Sequence, residues 1–323
     1  ITADTGALSM TADAIYDVTG AGNAALISVA GALTVDTSAA VGNAVLSSAA
    51  DLTIAALTAN AGDTTSITTT GDKDVTTNAA IDVAGSVSLT AGDDMVFGDN
   101  FQAGVITLSA ADVITVADAK TITADTGALS MTADAIYDVD GVAQAALISV
   151  AGALTLDTSA AAGNAVLSSA ADLTIAALTA NASDTTSITT TGDKDVTTNA
   201  AIDVAGSVSL TAGDDMVFGD NFQAGVITLS AADVITVADA KTITADTGAL
   251  SMTADAIYDV TGAGNAALIS VAGALTVDTS AAVGNAVLSS AADLTIAALT
   301  ANAGDTTSIT TTGDKDVTTN AAI

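Results

Sequence analysis

The chain repeats itself. The segment ITADTGALSMTADAIYDV begins at Ile1, Ile122 and Ile243, which sets a period of 121 residues. The copies are 1–121, 122–242 and 243–323, and the third matches the first at every position it covers. The second copy departs from the first at a few places: Thr19 becomes Asp140, Ala21 Val142, Gly22 Ala143, Asn23 Gln144, Val35 Leu156, Val41 Ala162 and Gly62 Ser183. Most of these changes fall in Gly/Ala-rich stretches that read as turns. The third copy stops mid-pattern, which reads as a segment of a longer array whose targeting signals lie elsewhere.

A shorter motif recurs inside each copy. LSMTADAIYDV, LISVAGALTV, VLSSAADLTI, SITTTGDKDV, VSLTAGDDMVF and ITLSAADVITV share an anchor at Met10, Ile27, Leu46, Ile67, Leu89 and Leu108, and the next falls at Met131. The spacing averages about 20 residues, the length of one β-solenoid coil. A sandwich domain of 121 residues would not repeat internally at this interval and would carry a larger aromatic core. The expected fold is therefore all-β: a parallel β-helix (β-solenoid) of about 20 residues per coil, six coils to each 121-residue repeat, with residues 1–323 one continuous solenoid segment. At that length the chain makes about 16 coils.

The motif alternates with period two, as a strand does. The anchor and the residue two before it (Leu8, Ala25, Ala44, Thr65, Val87, Ile106) point into the core. The residue after it (Thr11, Ser28, Ser47, Thr68, Thr90, Ser109) points out, giving a ladder of one hydroxyl per coil. A second short strand follows, as in Leu33–Val35, Leu52–Ile54 and Ile114–Val116, with an outward central residue; Asp74 and Val96 interrupt its Thr row. Ala49–Leu57 could read as helix from its Ala content. The same register is Thr-rich and β-branched in the sister motifs, which favours strand. Thr19–Asn23, Val41–Asn43 and Asp99–Asn100 supply turn residues. Pro is absent, as suits strands paired on both sides.

Composition narrows the function. There is no His, Cys, Trp, Arg or Glu, and aromatics make up 2% of the chain. The net charge is -32 with only five basic residues, which excludes nucleic acid, since phosphate binding needs clustered Lys and Arg. It excludes an anionic membrane surface for the same reason. No run reaches the roughly 18 apolar residues of a membrane span. Catalysis lacks its usual parts: no imidazole base, no thiol and no guanidinium. Two Asp could act as an acid–base pair, but a smooth repeating rod without aromatic sugar platforms is a poor enzyme.

The phrases GALSMTAD, GSVSLTAGDD and GVITLSAAD resemble the repeats of filamentous-haemagglutinin-type surface proteins. That resemblance covers nearly the whole chain, although the shared motif is degenerate. It implies a right-handed parallel β-helix, a bacterial source and an extracellular or cell-surface location. The near-identical array also resembles giant bacterial surface proteins, which are stalks or fibres.

Two features carry candidate sites. Asp72, Asp74, Asp93, Asp94 and Asp99, with Asn100, recur as Asp193, Asp195, Asp214, Asp215, Asp220 and Asn221, and Asp72 and Asp74 once more as Asp314 and Asp316. Oxygen-only clusters suit calcium, but no EF-hand or calcium-roll spacing is present, so solvated turn carboxylates are the plainer reading. Stacked carboxylates about 4.8 Å apart in water repel by roughly 0.9 kcal/mol a pair, so salt or divalent cations should offset the charge. The outward Ser/Thr rows could order water or contact a polysaccharide, or simply reflect β-propensity on a solvent face. Gly20–Ala25 matches a loose dinucleotide-loop pattern, which the second copy loses at Ala143, so it reads as a turn. Phe97, Phe101 and Tyr16 occur once per period and could form a patch or fill a wider core layer.

The expected function is a structural rod or filament of a bacterial extracellular or cell-surface protein. A stalk carrying an adhesin's separate binding domain is the alternative, and an ice- or polysaccharide-binding surface the third reading. The expected partners are copies of itself, end to end or side by side, or the rest of a longer chain. No cofactor is expected beyond a possible calcium ion.

Overall fold

A computed structural model describes residues 1–17, 23–138, 144–259 and 265–319. Among these the chain forms 38 strands and no helix. The strands stack in parallel as a β-solenoid of about 14 turns, with successive turns about 22 residues apart. Ala49–Leu57 contributes to the strand Leu52–Thr58, as its β-branched sister motifs require. The turn cluster Thr19–Asn23 and the Gly20–Ala25 pattern lie largely outside the described residues. Two compact units are distinguished, Ile1–Leu167 and Ser168–Ile323.

In the first unit the inward positions stack as the alternation requires. Leu46, Ile67, Leu89, Leu108 and Met131 face one another turn by turn, and none is more than 1% exposed. Small aliphatics dominate because each turn is closed by stacking on its neighbours rather than by filling a thick core. Phe97 and Phe101 lie in the core and not in a surface patch: both are fully buried, with ring centroids 5.1 Å apart in an edge-on pair. Tyr16 instead is 46% exposed.

The winding differs from the expected six coils per repeat. Leu8 stacks on Leu33, and that column continues through Ile54, Thr77, Phe97 and Val116 to Asp138. Six steps thus cover 130 residues, about 22 per turn. The 121-residue period then holds about five and a half turns. The motif recurs faster than the turns do, because it occurs on both sheets of the solenoid. Met10 therefore stacks on Val35 and not on Ile27. Thr11 and Ser28 drop out of the expected ladder, since Thr11 faces Asp36 and Ser28 faces Thr2.

A half turn has a visible consequence. In the first copy Thr2–Ala3 belongs to one sheet and Leu8–Thr11 to the other; in the second copy Thr121–Ala124 and Leu129–Thr132 have exchanged sheets. Leu8 rests on Leu33, whereas its sequence twin Leu129 lies between Ile106 and Leu154. Identical residues serve in both places because the leucine meets Leu or Ile on the neighbouring turn in either sheet.

Two features of the interior depart from simple stacking. The strand Leu52–Thr58 shifts register against Ala32–Asp36 between Leu33 and Thr34, leaving Ala55 as an extra residue, the form of a β-bulge. Thr77 is buried between Ile54 and Phe97, and its hydroxyl has no hydrogen-bond partner. Thr198 repeats this arrangement between Ile175 and Phe218. An unpaired buried hydroxyl costs free energy that valine does not, so Thr77→Val is expected to gain about 1 kcal/mol. Urea melts check it; a lower midpoint would mean that the hydroxyl is bonded after all.

The second unit is built in the same way. Ile188, Leu210, Leu229, Met252 and Val277 stack on successive turns, and Phe218 and Phe222 repeat the edge-on pair at 5.1 Å.

Candidate functional site

Among the described residues of the first unit, carboxylates gather at one corner, where the chain leaves a Ser/Thr strand and enters the next short strand. The corner turns contain Asp51, Asp72–Lys73–Asp74, Asp93–Asp94 and Asp112 on successive turns. Asp51 accepts a hydrogen bond from the Asp74 N–H at 3.3 Å. Asp74 accepts one from the Asp94 N–H at 3.2 Å, and Asp94 one from the Val113 N–H at 3.1 Å. These carboxylates thus cap the backbone of the following turn, a role that Asp fills well in turns. Thr69 extends the same device: its hydroxyl donates to the Lys73 carbonyl at 2.6 Å and accepts the Gly92 N–H at 3.0 Å.

Oxygens of Asp93, Asp94 and Asp112 lie within 4.8 Å of one another. Burial raises the Asp93 carboxyl above its ordinary pKa, and the charges of Asp74, Asp112, Asp72 and Asp51 add to the shift. Asp94 is raised as well, first by burial and then by Asp112, Asp93 and Asp74, against the lowering effect of its bond from Val113. Lys73, in the same corner, reaches Asp51 at 3.5 Å.

The five expected metal residues separate into two places. Asp93 and Asp94 come together, with Asp72 and Asp74 as charged neighbours. Asp99 sits at the next corner, where Lys120 binds it at 2.8 Å and the Asn100 N–H donates to it at 2.8 Å. Lys120 holds the Asp99 carboxyl below its ordinary pKa. The third member of the cluster, Asp112, escaped the sequence reading. Its signal was present: Asp112 stands four residues after the anchor Leu108, as Asp93 stands four after the anchor Leu89. Calcium takes about six to eight oxygen ligands. Three carboxylates offer part of such a shell, and Asp94 already commits one oxygen to Val113.

The second unit repeats the corner with Asp214, Asp215 and Asp233. The caps recur from Asp172 to the Asp195 N–H, from Asp195 to the Asp215 N–H and from Asp215 to the Val234 N–H, at 3.3, 3.1 and 3.0 Å. Burial again raises Asp214 and Asp215, and Lys241 lowers Asp220.

The second candidate is the outward surface of the Ser/Thr strands. In the first unit two rows run side by side, Ser66–Ser88–Thr107–Ser130 and Thr68–Thr90–Ser109–Thr132. All eight are hydroxyl residues and none is charged. Turns lie about 4.8 Å apart and the rows about 6.6 Å apart. The other sheet is mixed: Thr53, Thr76, Val96, Thr115 and Tyr137 in one row, Asp82, Gln102, Thr123 and Ser149 in another. Asp74 is therefore not part of that first row, where Thr76 stands; Val96 does interrupt it. The second unit repeats the hydroxyl rows as Ser187–Ser209–Thr228–Ser251 and Thr189–Thr211–Ser230–Thr253.

Comparison with protein-family models, with curated proteins and with solved structures finds no match to this chain. Among the described residues no helix is long and apolar enough to cross a membrane.

Proposed function

We propose that this chain is a length of structural rod from a bacterial extracellular or cell-surface protein, and that it performs no catalysis. The observation that carries this reading is the interchangeability of the two sheets. A 121-residue copy begins on either sheet and pairs in parallel with the neighbouring turn in both cases (Leu8–Thr11 on one, Leu129–Thr132 on the other). Copies can then be added indefinitely without a change of fold, which is what a spacer of tunable length needs. Stability in such an array is close to a sum over turn–turn interfaces. The resemblance to haemagglutinin-type repeats supports the surface location. The composition supports the absence of catalysis: without His, Cys or Arg, the clustered groups are carboxylates that largely cap backbone N–H groups.

Small-angle scattering from chains of two, four and six copies tests the rod. Length is expected to grow by about 26 Å per copy, from five and a half turns at about 4.8 Å each, at constant cross-section. Growth as a string of separate globular beads would overturn the reading. A stalk for a distal binding domain is the second form of the same proposal, favoured by the haemagglutinin-like phrases. Electron microscopy of the cell surface distinguishes them: long homopolymeric filaments support the fibre, single projections with a tip support the stalk.

A further inference from the structure

No further inference is drawn: the strongest candidate, the uncharged hydroxyl face formed by Ser66, Thr68, Ser88, Thr90, Thr107 and Ser109, is an unpartnered sheet face, and nothing in the structure shows what covers it.

Discussion

Gly92→Ala is expected to destabilise the first unit by about 3 kcal/mol, at the upper end of overpacking costs. A methyl at this position would stand 1.8 Å from the carbonyl oxygen of Gly71 one turn earlier. Backbone blocks it, so no side chain can move aside. Gly71 cannot yield readily either, because it holds φ at +74°, a left-handed conformation that glycine alone adopts without strain. Gly213 and Gly192 repeat the contact at the same 1.8 Å. Gly62→Ala is the matched control: nothing lies within 4 Å of its methyl position, and the second copy already carries Ser183 there. Urea unfolding should show a large loss for Gly92→Ala and almost none for Gly62→Ala. Equal effects would mean that the corner is not packed turn on turn.

The second large effect is electrostatic, and its sign depends on the substitution. Asp94→Ala removes the acceptor of the Val113 N–H and should cost about 1 kcal/mol. Asp94→Asn keeps an acceptor and removes a charge, so it should stabilise. The pH dependence follows from the raised carboxyls Asp93, Asp94, Asp214 and Asp215. A folded-state pKa above the unfolded value means that the folded chain binds protons more tightly. The gain is fully present below the unfolded carboxylate value, near 4, and is lost as pH rises through the raised value. Tm should therefore climb as pH falls from 7 towards about 4. Below that, Asp36, Asp99 and Asp220, which are held low by Ser38, Lys120 and Lys241, lose their contribution. Asp93→Asn with Asp214→Asn should flatten the climb. Added salt should raise Tm at pH 7, since surface repulsion is screened. Calcium compared with EDTA at fixed ionic strength separates binding from screening: a Tm difference indicates bound cation, and none leaves screening alone. A Tm that falls steadily from pH 7 to 4 would contradict the repulsive corner.

Much of the fold was legible because period-two alternation is a local property. The stack of Leu46, Ile67, Leu89, Leu108 and Met131 follows from the anchors directly. The turn count was not legible, because stacking is a property of the closed coil. Met10 and Ile27 are 17 residues apart, too few for a turn of about 22, although both open the same motif. Counting motifs therefore overcounted turns. The site followed the same pattern. Asp93 and Asp94 stood out as adjacent carboxylates, while Asp112 joined them only through the stacking of one turn on the next, and Asp99 left them because a short strand carries it to another corner.

The half-turn winding is tested most directly by paired cysteines, since the chain has none of its own. Ser9 stacks on Thr34, and its sequence twin Ser130 stacks on Thr107 and Thr155. Neighbouring strands bring such pairs within disulfide range, where Cα atoms must lie about 4.4–6.8 Å apart. The chain with Ser9→Cys and Thr34→Cys is expected to cross-link on mild oxidation, and so is the chain with Ser130→Cys and Thr107→Cys. Ser9→Cys with Leu26→Cys, the pairing that whole coils of about 20 residues imply, is expected not to. Cross-linking of the Leu26 pair with failure of the Thr34 pair would contradict the winding, and failure of all three would contradict the solenoid.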